Sequence, residues 1–242
     1  MSQGALPGYG YVPDNLPGGT SGPSSRAALA PGAAPWPTLP VRALWYAAGG
    51  IVGGFVLAST VAVVCIGLGL SLYSPVTVIL DLCALWLFLS WAAIRASRRY
   101  GTGSLGHDYR FGFQPFDAAR GAWASIIGRL AVTVVTGLIL AAAGHSVSGN
   151  TQVLKQQQGH PWHVLLVGAG AVIGAPIFEE LFFRGLVLRS LASRLPYGRA
   201  VLIQGVLFGL AHAQGGQDGW STFAIVAGTA TFGVVQLSLI HI

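Results

Sequence analysis

The chain has 242 residues, of which 53% are hydrophobic and only 8% charged, with a formal net charge of +6. A soluble domain carries about 25% charged residues, so this composition excludes an ordinary soluble globular protein and places the chain in the membrane class. The basic excess has no basic stripe or aromatic-interleaved platform behind it, so nucleic acid is not an expected partner.

Residues 1–40 are rich in Gly, Pro, Ser and Ala without apolar periodicity. Such a segment cannot bury enough surface to offset its ordering entropy, and it reads as a disordered cytoplasmic tail. It has no charged n-region joined to a short apolar core and cleavage site, so it is not a signal peptide. Residues 41–236 form the membrane-embedded domain. Its apolar blocks predict spans near Ala43–Tyr73, Val76–Ile94, Trp123–Ala143, His163–Leu188, Ala200–Ala213 and Ser221–Gln236. Several approach or exceed the ~20 residues that cross a ~30 Å hydrocarbon core, whereas Ala200–Ala213 is short. Backbone amides in lipid must be satisfied internally, and continuous apolar runs favour helices over barrel strands. The expected fold is all-α: a polytopic transmembrane bundle of about six spans.

Arginine placement orients this bundle. Arg95, Arg98, Arg99, Arg110 and Arg120 lie between the second and third spans, and Arg189, Arg194 and Arg199 between the fourth and fifth. The opposite loops hold only Lys155. The positive-inside rule then puts the N-terminus and both Arg-rich loops in the cytoplasm of a multi-pass plasma-membrane protein. Trp162 and Trp220 suit an aromatic belt on the external side, where His145, His160 and His163 should be solvated and Asp218 should lie in a structural glycine-rich turn. Cys65 and Cys83 read as buried apolar fillers. Asp81 and Arg129 either pair inside the bundle or lie apart near the span edges.

The fourth span contains both glutamates of the chain, Glu179 and Glu180, in the apolar run Leu165–Val187. A charged side chain at membrane depth costs about 2.5–3.5 kcal/mol on insertion scales, so such residues usually face a bundle interior or a water-filled cavity. On a helix, Glu180 and Arg184 are at i, i+4 and share a face, in the favourable Glu-first order. Glu179 points about 100° away and needs a different partner. A carboxylate free of the arginine can take a proton from water, which is the task of a general base. Pro176 just before the pair removes a backbone hydrogen bond and can open the helix. An intramembrane salt bridge that only fixes packing explains Glu180 and Arg184 but leaves Glu179 without a role. The fifth span places Phe208 and His212 at i, i+4, flanked by Gly205, Gly209, Gly215 and Gly216, which permit close helix approach. His with Glu recurs in zinc sites and in water activation, so Glu179 and His212 are also the candidate zinc ligands.

FEELFFRG followed by FGLAH resembles the EExxxR and FxxxH motifs of the CPBP family (CAAX protease and bacteriocin-processing, or Abi) of intramembrane proteases. Glu179, Glu180 and Arg184 match the first motif, Phe208 and His212 the second. The linker LVLRSLASRLPYGRA and the later AGTATFGV are also similar to that family, and GTGSLGHDYRFGFQPFDAARG resembles the cytoplasmic segment of its actinobacterial members. The resemblance implies a membrane endopeptidase acting on a membrane-associated protein or peptide within the bilayer. It implies Glu179 as base or ligand, Glu180 as its partner, Arg184 as orienting cation, and His212 as zinc ligand or oxyanion donor. Zinc is an open expectation, since metal-dependent and metal-independent mechanisms both fit.

The family pattern continues with a helix carrying HxxxN or HxxxB, which has no match here. His241 lacks the residues that should follow it. The ending LSLIHI is what CTGTCTCTTATACACATC encodes, the end of a common transposon-based sequencing adapter. Residues 237–242 are therefore expected to be adapter translation, and this chain is expected to lack a catalytic histidine and to be inactive. Two alternatives stand beside the protease: a non-catalytic membrane scaffold or bacteriocin-immunity protein, and an ion or metal transporter lined by Glu179, Glu180 and His212. Against transport, no inverted repeat with paired broken helices is visible.

Overall fold

The computed structural model describes residues 38–109, 115–145, 159–213 and 219–239, with side chains left aside at 115–122, 125 and 236–239. Six long helices and one short one make up the described chain: α1 (Leu44–Gly67), α2 (Pro75–Tyr100), the short α3 (Leu105–Asp108), α4 (Pro115–Ala142), α5 (Pro161–Leu191), α6 (Tyr197–Ala211) and α7 (Gly219–Leu239). No strand occurs among the described residues. The protein is an all-α membrane bundle, as its composition predicts.

Three of these helices are long and apolar enough to cross a membrane by themselves: α1 with its leading turn, α2 and α5. The apolar parts of the other three are shorter: Ile126–Ala142 of α4, the whole of α6, and Gly219–Val235 of α7. The first predicted span runs too far. Its helix stops at Gly67, where Gly69 takes a positive φ of 84° and the chain turns. Ser74 then caps α2, its hydroxyl oxygen accepting from the Thr77 N–H, with Pro75 at the first helical position. The second span extends past Ile94 to Tyr100, so Arg95, Arg98 and Arg99 are part of the helix.

The helices fall into two groups. Antiparallel α1 and α2 pack on each other, and α7 packs on both α4 and α6. The C-terminal half of α5 lies between the groups and touches α1, α2 and α6. Accordingly the core is gathered there: Phe182, Leu186 and Leu188 of α5 are almost fully buried, against Ala92, Ala93 and Ala96 of α2 and Ala200 of α6. In its N-terminal half, Val164, Leu165, Leu166, Val172 and Ile173 of α5 are exposed, an apolar surface of the kind lipid covers.

The packing decides several expectations. Of the two readings of Asp81 and Arg129, the structure shows the unpaired one: one Asp81 carboxylate oxygen is buried without a hydrogen-bond partner, and Arg129 is exposed. Cys65 is buried, but Cys83 is exposed on the outside of α2 and fills no core space. His145 and His160 are exposed as expected, with the His160 ring stacked on His163 at 4.9 Å. Trp162 and Trp220 are exposed near the ends of their helices, as an interfacial belt requires. Lys155, Asp218, Gly215, Gly216 and His241 lie outside the described residues.

Candidate functional site

The helix that carries the acidic pair is not regular. Its backbone widens twice, over Gly170–Gly174 and over Glu180–Leu188, with an ordinary α turn Ala175–Glu179 between. The first widening ends where the Ala175 N–H donates to Gly170 O, five residues back. Pro176 follows at once. Its ring would collide with a carbonyl four residues earlier in a tight helix, and a single wide turn relieves that contact. The expected opening at Pro176 thus takes the form of widening without a break. Glu179 and Glu180 straddle the junction between the central α turn and the second wide segment, and wide turns of this kind are frequent at functional sites.

The two carboxylates take separate partners, as their helical offset predicts. Arg184 Nη1 lies 2.9 Å from Glu180 Oε2 and 3.1 Å from Oε1, so one guanidinium nitrogen donates to both oxygens. Glu179 turns toward α6, where its Oε1 lies 3.8 Å from His212 Nε2. The fifth predicted span includes His212, but α6 ends one residue before it, at Ala211. His212 therefore sits in the helix-terminal turn, where the last carbonyls lack intrahelical donors. One of these carbonyls positions the ring: His212 Nδ1 is 2.8 Å from Phe208 O. A carbonyl can only accept, so Nδ1 carries the hydrogen and, in the neutral ring, Nε2 presents its lone pair to Glu179.

Aromatic residues fix this geometry from behind. The Phe208 ring is 4.6 Å from the His212 ring and meets Phe183 edge-to-face at 5.1 Å. Phe183 in turn meets Phe182 edge-to-face at 5.1 Å. This chain of rings ties α5 to α6, so Phe208 supports the site through both its carbonyl and its ring. On the other side Phe178, immediately before Glu179, stacks on Trp86 of α2 at 4.8 Å. Phe178, Phe182, Phe183 and Trp86 were not singled out in the sequence. The run of aromatics on either side of the acidic pair could have found the three phenylalanines, whereas Trp86, on α2, is brought to them only by folding.

Zinc at a catalytic centre takes three protein ligands and an open position. Glu179 and His212 offer two, and no group of three His, Cys, Asp or Glu able to hold a metal occurs among the described residues. These donors do not by themselves make a zinc site. What they do make is a pair of facing hydrogen-bond acceptors at membrane depth. Each is about one-third exposed: 30% for the Glu179 side chain and 36% for His212.

Comparison with known families matches residues 161–239 to the family described as type II CAAX prenyl endopeptidase Rce1-like. Comparison with curated proteins and with solved structures gives no match. The matched stretch starts at the first residue of α5, contains Glu179, Glu180, Arg184, Phe208 and His212, and ends with α7. This segment, which holds the whole candidate site and about a third of the chain, is similar to that CAAX-type membrane protease family.

Proposed function

We propose that the protein is an intramembrane endopeptidase in which Glu179 and His212 activate water against a peptide bond of a membrane-associated substrate. The observation that carries this reading is the division of labour between the carboxylates. Glu180 is neutralised by Arg184, and Glu179 is left facing an imidazole lone pair at 3.8 Å. Two acceptors in that relation repel unless something donates to both, and a water molecule has the two O–H groups required. As that water attacks the scissile carbonyl, Glu179 takes its proton and can deliver it to the leaving amine. His212 Nε2 accepts from the second O–H of that water and so aims its oxygen at the scissile carbonyl, while Arg184 keeps the charge of Glu180 from opposing the developing oxyanion. The apolar surroundings strengthen each of these interactions relative to water. The orientation proposed with this mechanism places the N-terminus and the Arg-rich loops in the cytoplasm of a plasma-membrane protein.

The test is cleavage of candidate membrane substrates by the full-length protein, wild type beside Glu179→Gln. Loss of a general base is expected to lower kcat by about 10²–10⁴-fold. Equal cleavage by both would remove Glu179 from the mechanism, and absence of cleavage by either would favour a membrane scaffold. Zinc content measured on the same preparations, with His212→Ala added, shows whether the pair shares a metal. Zinc present in wild type and lost on either substitution would place one there.

A further inference from the structure

The cytoplasmic connection after α2 contains a built polar cluster that the reaction above does not use. Asp108, the last residue of α3, is buried at 6% exposure. Its carboxylate accepts from the Ser97 hydroxyl (2.5 Å), the Thr102 N–H (2.9 Å) and hydroxyl (2.8 Å), and the Gly103 N–H (3.1 Å), with His107 Nδ1 at 3.5 Å. Burial alone would raise its pKa, but these hydrogen bonds prevail and hold it at about 2. Asp108 is therefore a charged, fixed anchor.

Tyr109 follows it and is equally buried. Its hydroxyl donates to the Ala93 carbonyl of α2 at 2.7 Å. Its ring covers Gly185 in the middle of the wide segment Glu180–Leu188: a Cβ on Gly185 would stand 3.0 Å from Tyr109 Cγ. The ring is thus a strut, anchored at its base by Asp108 and at its tip by α2, with its face against the helix that carries the acidic pair.

We infer that Tyr109, anchored by Asp108, is a positioning residue that holds the wide register of α5 and so presents Glu179 to His212. Wide turns are rare and need support from their surroundings. Relaxing this one to an α-helix would rotate the residues before it relative to those after it by about 100° per residue absorbed. Its C-terminal end and the turn beyond cannot rotate, because Leu186 and Leu188 within it and Arg189 and Ser190 after it are buried. The rotation would fall on Glu179 and swing its carboxylate away from α6, while Glu180 and Arg184, at i, i+4, would stay paired.

This inference rests on the reading of Glu179 and His212 as the reacting pair, and its test needs no substrate. In the full chain with Cys65→Ala and Cys83→Ala, Glu179→Cys and His212→Cys are introduced and treated in membranes with a short bifunctional thiol reagent. Mass spectrometry then reads the cross-link. The cross-link is expected with Tyr109 in place and with Tyr109→Phe, which keeps the ring on Gly185, and is expected to be lost with Tyr109→Ala. Cross-linking of Tyr109→Ala at the parent level would overturn the inference, as would a parent that does not cross-link. Should Tyr109→Ala fail to accumulate, Asp108→Asn keeps the ring and loosens its anchor, so a reduced yield is expected and an unchanged one overturns the strut. On the cysteine-intact protein, Tyr109→Ala should lower kcat by about 10²-fold with KM unchanged, the cost of a small misplacement. A wild type that cleaves nothing, with the cross-linking pattern as expected, would count against the protease reading alone.

Discussion

His212 is held by a backbone carbonyl at one nitrogen and meets a carboxylate at the other, so the proton on Nδ1 decides what Nε2 can do. Arg184 has a simpler task, and its one-nitrogen contact with both Glu180 oxygens predicts the outcome of exchange. Arg184→Lys keeps the charge and should retain part of the activity, whereas Arg184→Ala leaves Glu180 unpaired at membrane depth and should lose activity and expression together, as cleavage assays and membrane yields would report. Asp108 offers a pH test. Its carboxyl drops from the usual 3.8 to about 2 in the folded protein, so the unfolded chain binds the proton first as the medium is acidified. The stabilisation is complete above pH 3.8 and is lost as pH falls through about 2. The gap corresponds to roughly 2 kcal/mol, so Asp108→Asn should lower the denaturation midpoint at neutral pH, and its deficit against wild type should shrink between pH 4 and 2.

At the scale of elements, the site is a meeting of α5 with the end of α6, and α7 holds α6 in place. A Cβ on Gly209 would run into the Val226 carbonyl and stand 3.0 Å from the Ala230 methyl of α7. Gly209→Leu is therefore expected to force α6 and α7 apart, costing about 1–3 kcal/mol as overpacking does, read as a lowered midpoint of thermal unfolding in detergent. Much of this arrangement was legible in the residues. Apolar blocks located six helices, a spacing of four paired Glu180 with Arg184, and the single-residue offset sent Glu179 elsewhere. What was not legible depends on contacts remote in sequence. The wide turns of α5 arise from Pro176 together with packing that no local pattern encodes. The position of His212 beyond the end of α6 also escaped the pattern, because the apolar run continues through it. Asp108 carries no local signal, because it is folding that brings Ser97, Thr102 and Gly103 around it.

Across the whole molecule, the arginines and the burial pattern agree on which end of the bundle is anchored. The Arg-rich connections lie at the end where the core is densest, around Phe182, Leu186 and Leu188. Single cysteines at Ser104 and at His160, in a chain without Cys65 and Cys83, should be labelled from opposite sides of the membrane by an impermeant thiol reagent. Labelling of both from one side would overturn the cytoplasmic placement of the loops.

The unequal burial of α5 has a mechanical meaning. A rod gripped at one end and touched along one side at the other is a cantilever, and its deflection grows with distance from the grip. Glu179 sits just outside the clamped segment, where the amplitude of such a rod is smallest, so its carboxylate is expected to keep its place beside His212 while the outer turns near Val172 and Ile173 are expected to move more. Stiffness at the proposed reacting pair and compliance farther out would thus come from one helix, graded along its axis.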